Sequence, residues 1–316
     1  GPTFERPSLR MDNRLPVKSP SPAGAGGLRQ DQLPEAGMPN RLARRESQVL
    51  TPTTGRFVLE RSITPLSAQA PLRPEPAPAF QNRDLKERER IATRRGGSAE
   101  SERAVEMGLE FLARHQSPDG RWSLHNFGAG RGYQGDVGHG MMESDTAGTG
   151  LALLAFLGAG YTHQADKYRD QVAAGLQFLI EHQRPDGDLF SALGGNRYAW
   201  LYSHGIGTIA LCEAYGMTRD PALKEPAQRA LNFIAAAQNS AQGGWRYAPG
   251  VGSDTSVSGW QLMALKSGQM AGLNVDPKVL DGVRRWLAGA QWSGDNALYV
   301  YRPMAEQEHQ RTPSSA

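Results

Sequence analysis

The sequence predicts an all-α fold of repeated helical hairpins, preceded by a disordered tail rich in proline and arginine. Three observations predict it. A glutamine-bearing segment recurs in four copies along the 316 residues. A second, more apolar kind of helix lies between the copies. Proline and the aromatic residues are divided unevenly between the two ends of the chain.

The tail comes first. Residues 1–100 hold 13 of the 21 prolines and no tryptophan, tyrosine or cysteine. They carry 17 basic and 11 acidic residues, so this stretch is about +6 while the rest is about −3. Such a segment cannot bury enough apolar surface to offset its chain entropy. Residues 1–95 are therefore expected to be disordered, with a transient charged helix over 83–95 leading into a repeat domain at 96–316. The tail's basic residues are scattered among acids and lack interleaved aromatics, so it is read as a tether, with no nucleic acid expected. No run of apolar residues is long enough to span a membrane, and no signal-peptide pattern opens the chain, which leaves the compartment open.

Four copies of an outer helix follow. Phe111-Leu112 runs on to Gln116, Asp119, Gly120 and Trp122. Phe178-Leu179 runs on, in the same register, to Gln183, Asp186 and Gly187, with Leu189 in the tryptophan's place. Phe233-Ile234 precedes Gln238, Gly244 and Trp245, and Trp286-Leu287 precedes Gln291. In each copy an aromatic residue stands five positions before the glutamine. Helical apolar spacing leads up to it, and Gly-containing turns end it.

Inner helices lie between the copies. Asp145-Thr146, Ser203-His204 and Asp254-Thr255 each open an apolar run. Asp, Ser and Thr cap helix N-termini by accepting a backbone N–H of the first turn. Runs such as Leu151-Ala152-Leu153-Leu154 are apolar on every side, which predicts burial on both faces. The unit is thus one amphipathic and one apolar helix, about three and a half to four times over. The spacing also predicts that Arg311–Ala316 stands where another inner helix would begin, so that the array continues and this chain exposes an open repeat edge prone to self-association.

The stretch from Phe111 through Gln116-x-x-Asp119-Gly120-x-Trp122 resembles the QW motif of squalene–hopene cyclases, which recurs loosely in the prenyltransferase and squalene oxidase repeat family. Ser144-Asp145-Thr146-Ala147-Gly148 and Gly252-Ser253-Asp254-Thr255 are similar to sequences in the squalene-cyclase-like repeat proteins of planctomycete bacteria. The resemblance covers roughly residues 98–305 and implies an α/α toroid, incomplete here. It implies that the repeated glutamines and tryptophans fasten one hairpin to the next. Cyclases of this type protonate their substrate with the middle aspartate of a DxDD sequence before Thr-Ala. The matching position is Ser144, whose hydroxyl cannot protonate an alkene. Prenyltransferases hold zinc with an aspartate two residues before a cysteine, but Ala210 stands there before Cys212. No metal and no cofactor is expected.

The weak catalytic candidates are Glu143, Asp145, His204 and Asp254, the last three at inner-helix starts. Each also has a reading as a cap or a satisfied interior residue. Trp200, Tyr202, Trp245, Tyr247 and Trp260 are candidates for an aromatic-lined ligand site, since aromatic faces suit greasy ligands and stabilise cations. Packing between repeats is the commoner explanation for such residues. His115 and His182 are expected at helix contacts, and Asp119 and Asp186 in turns. The glycine-rich stretch 128–135 reads as a loop. Two functions follow. One is a binding or scaffold module for an apolar or isoprenoid ligand, or for a partner protein, without the usual acid or zinc. The other is a cyclase-like enzyme whose acid lies elsewhere in the intact protein.

Overall fold

The computed structural model describes residues 75–127, 140, 142–190, 197–292, 298–303 and 314–315. All of these belong to one compact unit, Ser62–Ala316. The glycine-rich stretch 128–135 and the tail before residue 75 lie outside the described residues.

The fold is all-α. A 3-10 turn at Pro78–Arg83 and helix α1 (Leu85–Arg94) precede the repeats. Outer helices are α2 (Ala99–Arg114), α4 (Arg169–Glu181), α6 (Pro221–Ala236) and α8 (Pro277–Ala290). Inner helices are α3 (Asp145–Gly158), α5 (Trp200–Thr218) and α7 (Thr255–Met270). The strands β1 (Leu298–Tyr299) and β2 (Ser314–Ser315) pair antiparallel. Ser314 and Ser315 are thus strand, not the start of a further inner helix, because their backbone groups pair with Leu298 and Tyr299.

The inner helices pack side by side, with α5 between α3 and α7, and the outer helices cover them. This order explains the composition of α5. It has neighbours on all sides, and every residue from Ser203 to Thr218 except Glu213 is buried. The outer helices keep one polar face. Their starts are signalled by Asp220-Pro221 and Asp276-Pro277, where aspartate caps and proline occupies the first helical position, whose N–H has no partner within the helix. Helix α2 carries a capping box between Ser98 and Ser101.

Residues 75–95, within the stretch expected to be disordered, are placed against the repeats. Phe80 is buried, and its ring occupies the space beside Gly216 where a Cβ would sit 2.3 Å away. The Ala77 N–H donates to the Gly216 carbonyl at 2.8 Å, and Arg83 pairs with Glu213 at 2.5 Å. One phenylalanine in a polar segment is enough to anchor it when a glycine on the neighbouring helix leaves room.

The repeated glutamines act alike in three units. Gln116 donates from Nε2 to the Gly120 carbonyl of its own turn and to the Gln171 carbonyl in α4, at 2.8 and 2.9 Å. Gln183 does the same to Gly187 and to Pro226 in α6, at 3.1 and 2.9 Å. Gln238 reaches Gly243 and Val279 in α8, at 2.8 and 2.9 Å. Each side chain therefore ties its turn to the first half of the next outer helix.

The turn glycine makes the second half of this clasp. Gly120, Gly187 and Gly243 have φ of +90°, +97° and +83°, and an added Cβ would lie 2.2–2.3 Å from the carbonyl oxygens of Ala174, Arg229 and Gly282. Only glycine fits such a left-handed turn against a backbone. In the third unit this role falls to Gly243 rather than the expected Gly244. Gly244 is held small by the Ser258 hydroxyl, 2.6 Å from where its Cβ would be. Gln291 ends α8 and bridges to Tyr299.

The residue after the turn is also fixed in all three units. The Trp122 N–H donates to Thr149 Oγ1, the Leu189 N–H to His204 Nδ1 and the Trp245 N–H to Ser258 Oγ, each at 3.0–3.1 Å. The indole N–H groups of Trp122 and Trp245 donate back to the Leu112 and Ile234 carbonyls. These tryptophans are hairpin rivets, and Trp245, 1% exposed, belongs to the core rather than to an aromatic lining.

Candidate functional site

The shared bond to the post-turn N–H puts Thr149, His204 and Ser258 in register. Asp145, Trp200 and Asp254 then stand at equivalent positions at the helix starts. The expectation that Ser203-His204 opens its helix is corrected by one turn. Helix α5 begins at Trp200, after a 3-10 turn at Arg197–Ala199, because the extra turn is stabilised by burial rather than by a capping side chain. His204 therefore lies in the second turn, fully buried. Its Nδ1 accepts from Leu189 and its Nε2 lies 3.1 Å from the Ala230 carbonyl.

The acid positions differ between units. In α3 the cap is Ser144, not Asp145. The Ser144 hydroxyl accepts from the Ala147 N–H at 3.0 Å and lies 2.7 Å from Ser203 Oγ. Asp145 is half-buried and pairs with Arg121 Nε at 3.3 Å. Glu143 is half-buried beside this cap. In α7, Asp254 is the cap and is fully buried. Its Oδ1 accepts from the Val257 N–H at 2.8 Å, and the Tyr301 hydroxyl also faces the carboxyl. The nearest cation, Arg246 Nε, is 3.8 Å from Oδ2. Burial holds the Asp254 carboxyl above its usual range, against the downward pull of the Val257 N–H, Tyr301 and Arg246.

A further buried acid, Asp188, was not foreseen. It is fully buried, and its Oδ1 accepts from the Phe190 N–H at 3.0 Å. Its Oδ2 accepts from the Trp200 indole at 2.9 Å, with Arg184 3.5 Å away. His204 Nδ1 lies 3.3 Å from Oδ1. The signal was a departure from the repeat. Asp188 stands where the other units have Arg121 and Gly244, Trp200 where they have aspartate, and His204 where they have hydroxyls. All three departures meet in one place.

Above this group lies a cluster of aromatic side chains between the starts of α5 and α7. Phe190 and Trp200 stack with centroids 6.1 Å apart. Tyr247 meets Tyr198 edge-on at 5.1 Å and Tyr202 at 6.3 Å. The Tyr202 hydroxyl bonds Ser256 Oγ at 2.8 Å, and the Tyr247 and Tyr301 hydroxyls are 2.7 Å apart. The Arg246 guanidinium sits over the Tyr247 ring at 5.0 Å. Burial raises the Tyr202 phenol, and it raises that of Tyr301 further, helped by the Tyr247 hydrogen bond. Of the expected aromatic residues, Tyr202 and Tyr247 are thus together, and Trp200 pairs with Phe190. Trp260 is half-buried on α7 and packs on the core.

The remaining candidates have local roles. His115 stacks on Phe111 and His182 meets Phe178 at a tilt, and the two rings lie 2.7 and 2.8 Å from those residues' carbonyls. Asp119 and Asp186 accept from the N–H two residues on, which is turn chemistry. Cys212 is buried mid-helix, and burial pushes its thiol well above the ordinary range. Among the described residues no cluster of His, Cys, Asp and Glu is arranged to hold a metal, and no helix is long and apolar enough to cross a membrane.

No protein-family model matches the chain. It is similar to drimenyl diphosphate synthase of Streptomyces showdoensis, with 28% identity over 121 residues. That alignment covers 38% of this chain and 22% of the relative, so the chain spans about a fifth of that protein's length. Together with the helical repeats, the match marks a distant, terpenoid-cyclase-like helical domain.

Proposed function

We propose that this chain is an α/α-toroid segment acting as a binding module for an apolar, isoprenoid-like ligand, without chemical turnover. The observation that carries this reading is the fate of the acid position. Ser144 is buried, caps its helix and pairs with the Ser203 hydroxyl, so no proton donor strong enough for an alkene stands there. The aromatic residues at the starts of α5 and α7 offer π faces and tyrosine hydroxyls to a ligand, with Arg246 at their edge for an anionic head. The likeness to a diphosphate synthase supports the isoprenoid class of ligand.

A second reading is favoured by Asp254. A fully buried carboxyl raised above its usual range holds its proton more tightly than an exposed one, as a general acid requires. In that reading the chain belongs to a cyclase-like enzyme with Asp254 as the proton donor.

Product analysis by gas chromatography–mass spectrometry, with squalene and separately a prenyl diphosphate, tests both. The binding reading expects retention of the lipid and no new product. A cyclised product that disappears in Asp254→Asn would overturn it in favour of the second.

A further inference from the structure

Asp188 is a fully buried acid that none of the clasps between units uses. Taking a carboxylate out of water is costly, so its partners indicate its role. Its Oδ1 accepts from the Phe190 N–H of its own turn at 3.0 Å, as Asp186 accepts from the Asp188 N–H. His204 Nδ1, 3.3 Å from Oδ1, has the Leu189 N–H as a second neighbour at 3.1 Å. Oδ2 serves a residue outside the turn. It accepts from the Trp200 indole at 2.9 Å, with the half-exposed Arg184 3.5 Å away.

The other tryptophans show why this matters. Trp122 and Trp245 also turn their indole N–H groups inward, but to the main-chain carbonyls of Leu112 and Ile234, both at 2.8 Å and without an acid. They are buried rivets, 5% and 1% exposed, whereas Trp200 is half-buried. An indole has one polar hydrogen and no acceptor. With that hydrogen engaged by a buried carboxylate, the surface Trp200 leaves open is carbon alone. Phe190, stacked on it with centroids 6.1 Å apart, adds no polar side-chain atom.

The neighbouring surface is the opposite. Tyr198, two residues before Trp200, meets Tyr247 edge-on at 5.1 Å, and the Leu201 N–H donates to the Tyr247 carbonyl at 3.4 Å. Trp200 and Tyr202, two residues apart on a helix, diverge by about 200° around its axis. The Tyr202 side carries hydroxyls, bonded from Tyr202 to Ser256 and from Tyr247 to Tyr301, and the Arg246 guanidinium 5.0 Å over the Tyr247 ring. A ligand lying across the start of α5 therefore meets carbon at one end and hydroxyls with a cation at the other.

We infer that Asp188 is a positioning residue: by holding the Trp200 indole it makes the Trp200–Phe190 pair the hydrocarbon end of the ligand site, so that an amphiphile lies with its chain on Trp200 and its anionic head at Tyr247 and Arg246. The inference rests on the binding reading above and adds the ligand's direction and the residue that reads its chain. It also accounts for the three departures from the repeat meeting in one place. Asp188 and Trp200 form the pair, and His204 closes the interior side of the acid.

The test is isothermal titration calorimetry of the full chain with geranyl diphosphate, geranylgeranyl diphosphate and inorganic diphosphate. Wild type is expected to bind geranylgeranyl diphosphate about tenfold tighter than geranyl diphosphate, because the longer chain buries more carbon. Asp188→Ala, and Trp200→Ala with Asp188 in place, are expected to bring that ratio to about twofold. Asp188→Asn keeps an acceptor for the indole and is expected to keep the ratio. The response to inorganic diphosphate is expected to be the same in all four proteins. Circular dichroism checks folding, and Trp200→Ala carries the test where Asp188→Ala does not fold. A second readout needs no ligand. In protein with isotope-labelled tryptophan, the Trp200 indole signal is identified by its loss in Trp200→Ala. It is expected to be protected from solvent exchange in wild type and Asp188→Asn, and unprotected in Asp188→Ala. If wild type binds neither prenyl diphosphate, the binding reading falls and the ligand's direction with it. If wild type binds both and the ratio survives Asp188→Ala or Trp200→Ala, the binding reading stands and this inference is overturned. An indole signal as protected in Asp188→Ala as in wild type would overturn it as well.

Discussion

The second and third units share a scaffold and differ at the one place where chemistry could occur. The clasp is the same in both: a glutamine bonds its own turn and the next outer helix, and a left-handed glycine presses on that helix backbone. The inner-helix start is not. The third unit carries its acid at the cap, as Asp254, bonded to the Val257 N–H and faced by Tyr301 and Arg246. The second carries it after the turn, as Asp188, bonded to Trp200 and to the Phe190 N–H. Positions that hold units together are copied, and positions that face the aromatic cluster vary. A satisfied buried acid such as Asp188 organises its surroundings. Asp254 spends one oxygen on the cap, and burial raises its carboxyl.

Breaking the clasp should have the largest effect. In Gly187→Ala the added Cβ meets the Arg229 backbone and the residue must keep a positive φ. A loss of roughly 4 kcal/mol in urea denaturation is expected. Retention of wild-type stability would mean that the turn is free to move away from α6. Removing the second unit's acid comes next. Asp188→Ala leaves the Trp200 indole and the Phe190 N–H without their acceptor in the interior, and should cost about 3 kcal/mol. Asp188→Asn keeps an acceptor for the indole and should cost less.

Glutamine loss sharpens the comparison between units. Gln183→Ala should cost about 2 kcal/mol, because its side chain is buried and Arg229 Nη2 also donates to its Oε1 at 2.5 Å. Gln116→Ala, at a half-buried site, should cost about 1 kcal/mol. The reverse order in paired denaturation curves would show that the first clasp carries more load than its burial suggests.

Asp254 gives the smallest effect and the most informative pH dependence. Its folded carboxyl holds a proton more tightly than the unfolded one, since burial raises it. The folded state then binds more protons between the two titrations. Its contribution is full below the ordinary aspartate range and is lost as pH rises through the raised folded value. Asp254→Asn keeps a capping oxygen and no charge. It should match wild type at pH 3 and equal or exceed it, by about 1 kcal/mol at most, at pH 7. A wild-type curve that gains stability through this window relative to the variant would contradict the assignment.

Much of this architecture was legible in the sequence because it rests on repetition. Gln116, Gln183 and Gln238 recur at a fixed distance from an aromatic residue, and that alone marked the hairpins. The start of α5 was misread by a turn because Trp200 replaces the aspartate of the other units and burial, not a cap, stabilises that turn. Asp188 escaped notice because it follows Pro-Asp-Gly and reads as one more turn residue. Its meaning depends on Trp200 and His204, which become its neighbours only once α5 is placed. The anchoring of Phe80 against Gly216 was invisible for the same reason, since no local pattern joins residues so far apart.

The most direct test of the division between copied and varied positions is a fluorescence titration with a prenyl diphosphate, comparing wild type, Tyr247→Ala and Gln238→Ala at a temperature where all three are folded. Saturable quenching of tryptophan emission is expected in wild type and Gln238→Ala, with at least a tenfold weaker response in Tyr247→Ala. Equal binding by all three, or loss only in Gln238→Ala, would contradict the placement of the binding surface at the varied positions.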